Sequence, residues 1–229
     1  MSSRSPVAGR GRPAGAATGA AAPRLRGWLH AGAFPLALAG GIILIGLAPT
    51  ARAAAGCAVF AASSCLLFGV SALYHLSRAG TRARARLRRI DHANIFLVIA
   101  GTYTALAAVA RPSRLTPVLL GLVWAGALTG IAMRTFWLTA PRWVYVPCYL
   151  LLGWTVVFCL PVPRRDGAAV GSLMIIAAVL YSIGAVVYGL KRPNPSPRWF
   201  GFHEIFHGCT LAGFACQYTA ITIAVYSSR

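Results

Sequence analysis

The chain has 229 residues, 58% of them hydrophobic and only 11% charged, with a mean hydropathy of +0.67. Soluble domains carry about 25% charged residues, so a water-soluble globule is excluded and a one-domain polytopic membrane protein is expected. The net charge of +19 does not signal nucleic acid, because the arginines lie in a tail and in short connections between nearly charge-free stretches. Their expected partners are anionic lipid headgroups.

Residues 1–27 are rich in Ala, Gly, Arg and Pro and have no apolar core ahead of a cleavage site. They read as a disordered basic tail and not a signal peptide. Residues 28–229 then hold seven apolar runs, near 28–48, 54–76, 90–110, 115–134, 143–162, 167–190 and 203–226. Each is long enough to cross a hydrocarbon core, where helices satisfy their own backbone. The fold class expected is therefore all-α, a bundle of seven transmembrane helices. Trp28, Trp137, Trp143 and Trp199 stand near span ends, as interfacial aromatics do. Pro49, Pro112, Pro141, Pro161, Pro193, Pro195 and Pro197 punctuate the connections. Cys57, Cys65, Cys148, Cys159, Cys209 and Cys216 all fall in apolar runs without C-x-x-C spacing, which predicts buried thiols and no disulfide framework.

With the N-terminus inside, the inner segments hold the tail arginines, the Arg78–Arg89 run, Arg134, Arg142, Lys191, Arg192 and Arg198. The outer segments hold fewer: Arg52, Arg111, Arg114, Arg164, Arg165 and Arg229. The positive-inside rule then places the N-terminus in the cytoplasm and the C-terminus outside. That direction is opposite to the G-protein-coupled receptors. Retinal proteins need a lysine in the last span, and the single lysine here, Lys191, lies in a connection.

Ionisable groups inside spans are costly and each invites a functional reading. The candidates are His30, His75, Asp91, His92, His203, Glu204 and His207. Span two ends inward at "SALYH", span three starts inward at "RRIDHANIF", and span seven starts inward with His203 and His207 four residues apart. His75, Asp91, His203 and His207 thus reach one depth from three distant helices. Three histidines with one open position form the ligand set of a catalytic zinc. Ser71, one helical turn and about 6 Å from His75, and Asp91 are placed to hold or activate a water beside it. The "HEIFH" spacing also fits a zinc protease, with Glu204 as base. No His or Glu follows His207 to complete that site, so Glu204 reads as a flanking polar residue near the interface. Asp91 has a second reading, as an N-cap for span three. His30 reads as an interfacial or packing residue, and His92, turned about 100° from Asp91, as facing elsewhere.

"SALYH", "RRIDHANIFLVIAGTYT" and "HEIFH" together resemble the S-x-x-x-H, D and H-x-x-x-H motifs of the haemolysin III/PAQR family, which includes adiponectin and progestin receptors and is related to alkaline ceramidases. The likeness runs from Arg24 to the last helix, with Ala105 after "GTYT" where the family has proline. It implies zinc ligands at His75, His203 and His207 and water-holding roles for Ser71 and Asp91. It also implies hydrolysis of a lipid amide such as ceramide, a receptor role with structural zinc, or haemolysis through a pore. A channel would want polar residues along its length, whereas these cluster at one end. The abundance of Ala, Gly and Arg suits a GC-rich bacterial genome, and so a bacterial inner-membrane location.

Overall fold

The computed structural model describes residues 23–110, 113–137, 139–159 and 167–229. Residues 1–22 of the expected tail, together with Arg111, Pro112, Pro161, Arg164, Arg165 and Asp166, lie outside the described residues. The helices are α1 (Trp28–Leu47), α2 (Ala51–Leu76), α3 (Thr81–Val109), α4 (Leu115–Phe136), α5 (Arg142–Cys159), α6 (Gly167–Leu190) and α7 (Phe202–Ser227). Among the described residues there is no strand, only one bridge between Ser196 and Phe200 in the α6–α7 turn. Six of the helices, all but α5, are long and apolar enough to cross a membrane. α5 lies in the same bundle, against α3, α4 and α6.

The largest difference from the expected spans is at the start of α3. The run Thr81–Arg89 is not a connection but the first turns of the helix, about 14 Å of it. Ala and Arg are both strong helix formers, so the sequence "TRARARLRR" continues the helix out of the apolar layer. Residues 23–27 are also ordered, since Arg24 N–H donates to the Arg198 carbonyl at 3.0 Å and Leu25 N–H to that of Trp199 at 3.3 Å.

The bundle is apolar on the outside. Leu36, Leu115 and Leu151 are each more than 70% exposed, as suits side chains that face lipid. Without water to drive apolar faces together, small residues and interhelical hydrogen bonds hold such helices. α2 and α3 approach closely at Gly56 and Gly101, where a Cβ would strike Ala108 and Ser63 respectively. α3 is the most buried of the six apolar helices and packs on α2, α4, α5 and α7. Tyr103 hydroxyl donates to the Leu152 carbonyl at 2.8 Å, joining α3 to α5. Trp154 Nε1 donates to Ser182 Oγ at 3.1 Å, joining α5 to α6. Tyr218 hydroxyl closes the ring by donating to the Gly40 carbonyl at 3.1 Å, joining α7 to α1.

The two ends differ in what their arginines do. At one end, Arg52 donates to the Ala108 and Ala110 carbonyls and Arg229 to that of Leu47, capping the C-termini of α3 and α1. The other end carries Arg24, Arg26, Arg84 and Arg88, and all the histidines.

Candidate metal centre

α7 begins at the arginine-rich end, with Gly201 as its N-cap. Glu204, in the first turn, is 1% exposed. Its Oε2 accepts from Gly201 N–H at 2.8 Å and its Oε1 from Arg26 Nε at 2.8 Å. The carboxylate thus caps its own helix and anchors the segment before α1. The expected flanking polar residue is thus buried and fully paired. This pairing also removes the base that a zinc protease would need, because both oxygens are engaged.

With α7 so fixed, His203 and His207 stand one turn apart on the face toward α2, and His75 meets them from the last turn of α2. One ring nitrogen from each of His75, His203 and His207 lies within 4.8 Å of the others. The Nε2 atoms of His75 and His203 are 3.2 Å apart. Two ligands on a tetrahedral zinc with 2.0–2.1 Å bonds sit about 3.3 Å apart, so this spacing fits a shared ion. His207 is 3% exposed and the other two are half-buried. The donor set, three neutral imidazoles with no carboxylate among them, suits zinc or another borderline-soft divalent ion.

The other site residues surround a cavity of about 120 Å³ that His203 and His207 also line. Ser71, 2% exposed, and Asp91 both face this cavity. Asp91 does not cap α3, because the helix begins ten residues earlier. His92 does not face elsewhere: it lines the same cavity, with its Nδ1 3.6 Å from Asp91 Oδ2. That Nδ1 donates to the Arg88 carbonyl at 2.8 Å, which leaves Nε2 as the acceptor nitrogen. Beyond the histidines the cavity is walled by apolar side chains including Leu67, Ile95, Val98 and Met174. Gln217, about 15 Å along α7 from His207, marks its far part.

A family model described as haemolysin-III related matches residues 19–218 of the chain. The chain belongs to the haemolysin-III related family. It is 30% identical over 165 residues to the "Hemolysin-3 homolog" of Bacillus subtilis (strain 168), covering 71% of this chain and 74% of that protein. It is 28% identical over 177 residues to the "Hemolysin-3" of Bacillus cereus, covering 77% and 78% respectively. Every polar residue of the site, from His30 to His207, falls within the haemolysin-III related region.

One residue of that region was not expected at the site. His30 takes the packing alternative, and at the site itself: it is 2% exposed, lines the cavity and stacks on His207 with ring centroids 3.8 Å apart and planes 7° from parallel. Phe68 meets the His30 ring edge-on, with centroids 5.2 Å apart. Both nitrogens of His30 are buried without a hydrogen-bond partner. The local sequence "GWLHAG" carries no signal for this, because the ring partners come from α2 and α7.

Proposed function

We propose that this membrane protein is a zinc-dependent hydrolase of a lipid amide, working just inside the inner leaflet of a bacterial cell membrane. The observation that carries the reading is the meeting of a three-imidazole cluster with an apolar cavity that Ser71 and Asp91 line, at one end of the bundle. A zinc ion held by His75, His203 and His207 supplies Lewis acidity toward a carbonyl and toward water. The chain's own groups do the rest. Asp91 accepts the proton of the attacking water and returns it to the leaving amine. The Ser71 hydroxyl, on the same cavity wall, can donate to the water that Asp91 activates. His30 backs the His207 ring. The apolar cavity receives the acyl chain and keeps bulk water from the scissile bond. The excess of arginine at this end supports a cytoplasmic placement.

A haemolytic pore, suggested by the relatives' names, has no support in the described interior. At the end away from the histidines the core is closed by Leu44, Phe60, Ile221 and Val225.

The test is to purify wild type, Ser71→Ala and Asp91→Asn, measure metal content, and assay fatty-acid release from a panel of N-acyl lipids. The reading expects one zinc in all three, with release by wild type and a loss of about 10²–10⁴-fold in Asp91→Asn. Zinc retained with no release from any lipid would favour a non-catalytic sensor braced by the metal.

A further inference from the structure

The haemolysin-like site opens in a second direction. A cavity of about 410 Å³ lies at the arginine-rich end, lined by Arg24, Arg26, Arg84, Arg88, His75 and His203 among others. His92, Tyr188 and His203 line both this vestibule and the apolar cavity. The histidine cluster therefore sits at the junction of a basic compartment and an apolar one.

The vestibule's charge is not neutralised by the protein. Among the described residues the one arginine–carboxylate pair is Arg26 with Glu204. Arg26 is thus accounted for, while Arg24, Arg84 and Arg88 have no carboxylate. Two of these are held in place by rings, which neutralise nothing. Arg84 lies 5.3 Å from the Tyr74 ring centroid and Arg24 lies 4.8 Å from that of Trp199. On α3, Arg84, Arg88 and His92 follow one another at four-residue spacing, so they form a single stripe leading from the mouth to the junction. A topology signal does not require this. Arg82, Arg86 and Arg89, on the same turns, would mark the inner side equally well without lining the cavity. Guanidinium groups converging on one opening repel each other, and an anion that bridges them relieves that repulsion.

We infer that the ligand is an acyl amphiphile with an anionic, phosphate-bearing headgroup. The headgroup sits against Arg24, Arg84 and Arg88 in the vestibule, and the chain lies in the apolar cavity. The join between them is at the histidines. Guanidinium forks match phosphate oxygens in pairs, which favours a phosphate over a hydroxyl headgroup. For the reaction this rests on the proposed lipid-amide hydrolysis, and it narrows the substrate from N-acyl lipids in general to those with a charged head. The binding preference stands without it.

The test measures binding, not turnover. Wild type in phosphatidylcholine nanodiscs is titrated with two fluorescent N-acyl lipids of the same chain, an N-acyl phosphatidylethanolamine and a neutral ceramide. The anionic lipid is expected to bind at least about tenfold more tightly, the gap shrinking as salt rises. Arg84→Gln/Arg88→Gln should close most of the gap. Arg82→Gln/Arg86→Gln, with the same change in net charge, should leave it open. Equal or tighter binding of ceramide by wild type would overturn the inference, as would equal losses in the two double variants. Displacement of the lipid by millimolar inorganic phosphate would assign the vestibule to a free anion and also overturn it. A preference that survives while no lipid is hydrolysed would sink the hydrolase reading alone. Hydrolysis of charged and neutral lipids alike would sink only this one.

Discussion

Glu204 sits between two residues of the histidine cluster in sequence, yet its two oxygens are spent on Arg26 and on the Gly201 N–H. Its contribution is therefore to folding, and the variants should separate that from chemistry. Glu204→Ala leaves a buried N–H and a guanidinium unpaired, a loss of roughly 1–3 kcal/mol. Glu204→Gln keeps an acceptor for Gly201 and should lose less. Thermal unfolding should rank wild type above Glu204→Gln above Glu204→Ala, with unchanged zinc per folded chain. Loss of activity in fully folded Glu204→Gln would restore it as a base. His30 is the converse case, a residue outside the three-histidine cluster whose ring backs His207. His30→Ala should weaken zinc about 10–100-fold in chelator competition, and His30→Phe, which keeps the aromatic face, should recover most of it. An undiminished affinity in His30→Ala would remove the stack from the account. His75, His203 and His207 were legible because their spacing and their places at span ends are local properties. The His30 stack and the Arg26–Glu204 pair join residues more than 170 apart in sequence, and no helical period reports such a meeting.

At the scale of elements, the segment before α1 is pressed against the end of α2. Gly27 adopts φ +87°, and a Cβ there would meet His75 Cβ at 2.7 Å. Gly27→Ala therefore carries a left-handed backbone cost of roughly 1–2 kcal/mol and pushes directly on a candidate ligand. The expected outcome is a fall in zinc affinity and in thermal stability together, although no ligand has been removed. Zinc binding as tight as wild type would show that the segment does not position His75. The sequence hid this contact because "RLRGWLH" reads as the end of a basic tail. It hid the inner extension of α3 for a related reason. Arginine ends an apolar run and so marks the membrane edge, but it is a good helix former and does not end a helix. Apolarity and helicity stop at different residues here, near Ile90 and at Thr81.

At the scale of the whole molecule, the seven helices were legible because each apolar run must form its own backbone hydrogen bonds in lipid. Which helices touch was not, because lipid-facing and protein-facing surfaces are both apolar. Only scattered cues such as Gly56, Gly101 and Tyr218 distinguish them. The candidate site ties α2 to α7, from near opposite ends of the chain, across a bundle otherwise held by small-residue contacts and single hydrogen bonds. A metal there binds only the folded arrangement, so it should also stabilise the fold. The direct test is elemental analysis with zinc-edge X-ray absorption on the purified wild type and His75→Ala. The account predicts one zinc per wild-type chain with three imidazole nitrogens at about 2.0–2.1 Å, and its loss in the variant. A wild type without metal, or a His75→Ala variant that keeps its zinc with an unchanged spectrum, would contradict it.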